Sequence, residues 1–300
     1  MDFMLTRAQK QRFVSEFRHR LENAEALPIL PEVAGELLKL RNNPNAGIPE
    51  LIDVVKQDPS SAAQLMRYAR LSIFGYGDRI KTLDDAVQMV LGFDKALCMV
   101  LGWAAGKPLR MEANGPLGRK ALWRHGVYIA TLCQALAAEM PAKSRPSLGL
   151  AYLTGLMHDI GFMLVGHLYP HEFSLLNEVV AKYSEIEIRE LELITLGVSH
   201  DMTGMWLMRA WNMPEEVVVG VGEHYFPDYD GKHCIFPKLV HMADNVLALY
   251  DSKGASALSE GYAPLGLDRL QISEESFDKV VEQVFGISSE LNGMAEQLAA

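Results

Sequence analysis

Gly155-Leu156-Met157-His158-Asp159-Ile160-Gly161-Phe162-Met163-Leu164-Val165 sets one imidazole and one carboxylate side by side in an otherwise apolar run. Apolar residues on every side of a helix mean burial, and a buried carboxylate is costly unless it is paired or bound to a metal. Asp159 therefore requires a partner. Neighbours on a helix point roughly 100° apart, which suits two ligands of one octahedral ion, His158 giving nitrogen and Asp159 oxygen. The alternative is an Asp held by backbone amides beside a hydrogen-bonded core histidine.

Outward from this stretch the chain carries helix signals and no convincing strand pairs. Phe13, Phe17 and Leu21 recur every four residues among charged neighbours, which predicts an amphipathic helix that Leu27-Pro28-Ile29-Leu30-Pro31 stops. Pro31, Pro49 and Pro59 each stand where a helix begins, and Asp58 is placed to cap the last of these. Thr82-Leu83-Asp84-Asp85 resembles a capping box with Asp in place of Glu, opening a helix that Gly92 is placed to end. A further apolar helix is predicted from about Ala96 to Ala105. Gly106-Lys107-Pro108 and Asn114-Gly115-Pro116 bracket a stretch with little periodicity, taken as a boundary.

Helices resume at Leu117 and run through His125 to about Glu139, followed by the central helix and a long pattern from His171 through Val180. Ile188 to Leu196, the His200 segment, Pro214 to His224 and Pro237 through Asp244 to Leu249 continue the series. Gly254 to Gly266 is expected as loop, and Ser273 as the cap of a final helix through Val284. The expectation is an all-α protein, with an N-terminal helical subdomain over residues 1–112 and a second helical subdomain over 117–300.

Composition narrows the function classes. Of 300 residues 49% are hydrophobic and 22% charged, which suits a soluble globular chain, and the formal charge of -10 argues against a surface that tracks phosphates. No direct duplex DNA binding is expected. Cys98, Cys133 and Cys234 are odd in number and lack CxxC spacing, so neither a disulfide framework nor a cysteine zinc site is indicated. The longest strongly apolar stretch, Ala96 to Gly106, falls short of the roughly 20 residues that span a bilayer. The N-terminus lacks the apolar core of a signal peptide. These features predict a cytoplasmic protein with no membrane partner. No Walker loop, dinucleotide fingerprint or nucleophile elbow occurs.

Beyond the His-Asp pair, His125, His200, His224 and Asp244 each fall on or beside a helix with many apolar residues. Singly, each has an ordinary reading: an interfacial His125, a capping His200, a solvated His224, an exposed Asp244. Together they resemble the HD-domain superfamily of metal-dependent phosphohydrolases, whose signature of a first His, a His-Asp pair and a later Asp is present as His125, His158-Asp159 and Asp244. Binuclear members, including phosphodiesterases of the HD-GYP type, add histidines between the pair and the last Asp. His200 and His224 lie at matching positions.

The first half resembles the HDOD family, an HD-related bacterial output domain of signal-transduction proteins. The residues that carry this likeness are Leu27-Pro28-Ile29-Leu30-Pro31, Gln57-Asp58-Pro59, Leu65-Met66-Arg67-Tyr68-Ala69, Ile80-Lys81-Thr82-Leu83-Asp84-Asp85-Ala86-Val87 and Leu91-Gly92. The likeness covers about residues 20 to 250 and implies an HD-like helical bundle. It also implies a divalent metal (Fe, Mn, Zn, Co or Mg), mono- or binuclear, on His125, His158, Asp159, His200, His224 and Asp244, with His158 and Asp159 the catalytic candidates.

Departures from the pattern bear on activity. The active phosphodiesterases follow His-Asp-Ile-Gly with a Lys that holds phosphate, and Phe162 stands there instead. Their paired His-His is reduced to His224-Tyr225, no Gly-Tyr-Pro follows Gly231, and Arg70-Leu71-Ser72 replaces the Asn-Ser usual in the HDOD family. Two functions follow. One is a signalling module that works through contact with a protein partner, any metal serving structure or sensing. The other is a phosphohydrolase of a nucleotide or cyclic dinucleotide, in which a metal-bridging hydroxide attacks phosphorus. The missing phosphate-holding cation favours the first.

Overall fold

A computed structural model describes residues 6–22, 27–112, 114–253 and 266–300, with no strand among the described residues. The chain is all α. Its helices are α1 (Arg7–Glu22), α2 (Glu32–Arg41), α3 (Ile48–Lys56), α4 (Pro59–Ala69), α5 (Leu83–Asp85) and α6 (Gly92–Gly106). Then come α7 (Arg119–Glu139), α8 (Leu148–Met157), α9 (Ile160–Leu168), α10 (Pro170–Lys182), α11 (Ile188–Thr195) and α12 (His200–Ala210). The last are α13 (Glu215–Glu223), α14 (Ile235–Lys253), α15 (Leu267–Leu270), α16 (Glu274–Gly286) and α17 (Ser288–Ala299).

Local chemistry sets many of these boundaries. Asp58 caps α4, its Oδ1 accepting from the Ser60 and Ser61 amides, with Pro59 in the first turn. The Thr82 box closes reciprocally: Thr82 Oγ1 accepts from the Asp85 amide at 3.1 Å and Asp85 Oδ2 accepts from the Thr82 amide at 2.8 Å. A π-helical turn, Ala86–Leu91, follows, and Gly92 ends it with φ +74°, a conformation that favours glycine. α6 starts at that same Gly92, a turn earlier than the expected Ala96.

Four expectations need correction. The central segment is two helices, α8 and α9, interrupted at His158–Asp159. α7 begins at Arg119, because Leu117 and Gly118 belong to the preceding turn. Helix α16 is followed by a further helix, α17. Finally, by length and composition alone Leu83–Gly106 and the α8–α9 segment Leu148–Leu168 reach membrane-crossing length, beyond the expected residues 96–106; 67% and 89% of their most apolar 18-residue windows are buried inside the protein. The expected loop at residues 254–265 and the side chain of Leu21 lie outside the described residues.

Glycines bring the site-bearing helices together. A Cβ on Gly126 of α7 would stand 3.0 Å from the Leu156 carbonyl, and one on Gly155 of α8 would stand 2.8 Å from Ala130 Cα. The two backbones therefore nearly touch. α9 meets α12 in the same way through Gly161, where a Cβ would lie 2.5 Å from Thr203 Oγ1 and 2.7 Å from the His200 carbonyl carbon. α2 and α4 pack on α6, and α6 packs on α8, where Trp103 Nε1 donates to the Tyr152 hydroxyl at 3.3 Å. α1 lies against α12 and the start of α10, with Phe17 6.0 Å from Trp206 and Phe13 4.7 Å from Tyr169. One buried apolar cluster includes residues from Phe13 to Leu298.

Candidate metal centre

Two histidines are placed by the same local device. His158 and His224 each follow the last residue of a helix, where carbonyls lack an intrahelical partner. The Nδ1 of His158 meets the Gly155 carbonyl at 2.7 Å, and that of His224 meets the Val221 carbonyl at 2.8 Å. A carbonyl only accepts, so each Nδ1 carries the proton and each Nε2 of the neutral ring presents a lone pair. The α8 and α13 C-termini also bring their negative dipole ends to the site.

Asp159 occupies the turn between α8 and α9 at φ -96°, ψ 10°. His200 is the first residue of α12, and Gly161 keeps it close to α9. His125 precedes Gly126 on α7, and Asp244 lies within α14.

All six predicted residues converge. His125, His158 and Asp159 offer ligand atoms within 4.8 Å of one another, and so do Asp159, His200 and His224, so Asp159 is shared between two groups. Asp244 Oδ1 joins the first group at 3.0 Å from His125 Nε2 and 3.8 Å from His158 Nε2. Asp159 Oδ1 lies 3.4 Å from His158 Nε2 and 3.2 Å from His200 Nε2.

The donor chemistry fits a cation. Nε2 faces Nε2 at 3.2 Å between His125 and His158, and at 3.3 Å between His200 and His224. Were both rings of a pair neutral with Nδ1 protonated, these lone pairs would repel; a proton or another cation between them removes that repulsion. Burial opposes charge on His125, yet Asp244 and Asp159 lift it to about 9. His200 is likewise raised despite burial, by Glu192 and Asp159. Burial and the neighbouring His158 and His200 push His224 down to about 4. Burial disfavours the charged form of Asp159, but His158 and His200 outweigh it and hold the carboxyl well below the ordinary range. The two carboxylates thus demand positive charge at this point, supplied by protons or by a metal.

Sequence reasoning missed three neighbours. Glu192, buried on α11, holds His200 at two points: Oε2 lies 2.7 Å from Nδ1, and Oε1 accepts from the backbone amide at 2.8 Å. Burial raises the Glu192 carboxyl to about 7 against the pull of His200. Its position between Leu191 and Leu193 is the same signal that marks Asp159, obscured by the adjacent Arg189 and Glu190. Phe162 stacks on the His200 ring at 4.0 Å and 19°, so the position expected to lack a phosphate-holding cation packs a ligand instead. Arg124 stands next to His125 on α7. It binds Asp251 through both guanidinium nitrogens, at 2.9 and 2.7 Å.

A cleft of about 840 Å³ opens over the centre, lined by His125, Asp159, His224 and Asp244 with Phe162, Tyr225, Arg124 and Asp251. Arg124 is the only Lys or Arg among its described lining residues.

The helical fold and paired His/Asp groups define a protein of the HD-related helical class. Residues 27–227, more than half of the chain, match the HDOD domain, and the chain belongs to the HDOD family. Over 98% of its length it superposes on 66% of a Marinobacter aquaeolei VT8 protein provisionally named for signal transduction, with a TM-score of 0.78 and 29% identity. A Shewanella amazonensis SB2B protein provisionally named a phosphohydrolase gives a TM-score of 0.69 at 21% identity, over 93% of this chain and 97% of its own, which shows the fold alone. Among curated proteins, an uncharacterized Treponema pallidum (strain Nichols) protein is 25% identical over 213 residues, 68% of this chain and 38% of its own. The chain thus spans well under half of that relative and about two thirds of the Marinobacter protein.

Proposed function

We propose that this HDOD protein is a signalling output module that binds a divalent metal through His125, His158, Asp159, His200, His224 and Asp244, and acts by contact with a protein partner. The observation that carries the metal is the pair of three-residue groups sharing Asp159, with the Nδ1 atoms of His158, His200 and His224 fixed outward. Four imidazoles favour iron or zinc over magnesium, which prefers all-oxygen sites. Were a metal bound, Asp159 would belong to both groups of donors, with Asp244 and the histidines completing them. The partner contact is proposed for the helical half over residues 1–112 and the groove. Placement in the reducing cytoplasm accords with the free cysteines Cys98, Cys133 and Cys234, and the acidic balance speaks against duplex DNA as the target.

A second reading, hydrolysis of a nucleotide or cyclic-dinucleotide phosphoester, is favoured by the cleft over the centre. A bound metal would supply Lewis acidity and a water of lowered pKa. Against it stands Phe162, which offers phosphate no charge.

Elemental analysis of the purified chain tests the proposal: one or two ions per chain are expected, and Asp159→Ala should lose them. Negligible metal in both would leave a metal-free scaffold. Weak or absent turnover of cyclic dinucleotides and simple phosphoesters is expected, and robust turnover would establish the second reading.

A further inference from the structure

We propose that Arg124 is an anchor for a phosphoryl oxyanion in the cleft, and that Asp251 occupies the place this oxyanion would take. The inference rests on the cleft being a ligand site, as read above. Arg124 stands beside His125 on α7 and lines the same cleft as Asp159 and Asp244. Its guanidinium presents a fork of N–H donors, a geometry that suits phosphate and carboxylate alike. Both prongs are taken by Asp251, Nη1 to Oδ2 at 2.9 Å and Nη2 to Oδ1 at 2.7 Å. Asp251 lies seven residues after Asp244 on α14, two turns along the same face. One helix face therefore carries a predicted metal ligand and the carboxylate that fills the anion fork.

The pair is exchangeable. The side chains of Arg124 and Asp251 are 36% and 42% exposed, and pairs so exposed are weak. The guanidinium is also held from below, its carbon 4.8 Å from the centre of the Tyr128 ring. It stays aimed at the cleft when the carboxylate leaves. A ligand with a phosphoryl group displaces Asp251 and meets Arg124; a neutral ligand leaves the pair closed.

The test is a calorimetric titration of inorganic phosphate into the full chain, both after chelation of metal and as purified, for wild type, Asp251→Asn, Arg124→Gln and the double variant. Asp251→Asn is expected to bind phosphate about five-fold more tightly, the scale on which a half-exposed pair competes. Arg124→Gln should lose most of the binding, and the double variant should match it. Asp251→Ala carries the same expectation should Asp251→Asn fold poorly by circular dichroism. The inference is overturned if both Asp251 variants bind as wild type does, if their gain survives without Arg124, or if acetate binds Asp251→Asn as tightly as phosphate does. The chelated series does not depend on bound metal, so failure of the metal reading and failure of this one are told apart by metal content.

Discussion

Glu192 shows how much of the centre depends on a residue outside the cleft lining. By accepting hydrogen bonds from Nδ1–H and the backbone amide of His200, it fixes the ring so that Nε2 faces Asp159. Outer partners of this kind are worth about 10–100-fold in metal affinity. Glu192→Gln, which keeps shape and loses charge, should therefore weaken metal retention against a competing chelator by about ten-fold. A purely structural role would lower the melting temperature and leave affinity unchanged. His158 and Asp159 were legible because a charge in an apolar run has few explanations. Glu192 sits in a similar run, but Arg189 and Glu190 give its helix a solvated look. The stacking of Phe162 on His200 and the pairing of Arg124 with Asp251 join residues 38 and 127 positions apart, and no local pattern encodes such contacts.

At the scale of elements, the α9–α12 crossing is set by one missing atom. Gly161→Ala would drive a methyl group into the His200 backbone and Thr203 Oγ1. Overpacking of this kind costs about 1–3 kcal/mol, and here it also moves His200 away from Asp159. A lower urea midpoint at unchanged slope, together with lost metal, is expected; a silent substitution would show that the helices separate freely. α4 gives a pH-dependent counterpart. Burial alone would raise the Asp58 carboxyl, but Lys107 and Ser61 outweigh it and hold it below its ordinary 3.8. A depressed folded value means the stabilisation is complete above pH 3.8 and is lost as pH falls through the lower folded value. Asp58→Ala should cost about 1 kcal/mol at neutral pH through the lost cap. The cost should shrink in acid, as denaturant titrations at pH 7 and pH 3 would show. Proline starts and the Asp58 and Thr82 caps were legible because each acts within a few residues. The break at His158–Asp159 was not, since no Gly or Pro stands within it, and α17 was hidden behind the apparent end of the preceding helix near Gly286 and Ile287.

For the whole molecule the question is whether residues 1–112 and 117–300, the two subdomains that the aperiodic stretch at Gly106 to Pro116 divides, depend on one another for folding. The core argues for dependence. Gly102 of α6 admits Leu153 and Leu156 of α8, Gly106 admits the Trp123 ring of α7, and the Tyr68 hydroxyl donates to Gln134 at 3.1 Å. Each partner in the second half is buried, and two of those helices carry or precede His125 and His158. Removing the first half would expose that apolar face, with a loss of roughly 25 cal/mol for every Å² newly wetted. A fragment of residues 117–300 is therefore expected to melt without a cooperative transition, or to aggregate, and to bind no metal. A sharp melt with metal retained would instead establish two autonomous domains and remove the first half from any part in shaping the centre. In the dependent case, were a protein to bind the first half and a metal the proposed centre, the packing shared by α6 and α8, which positions His158, would couple the two.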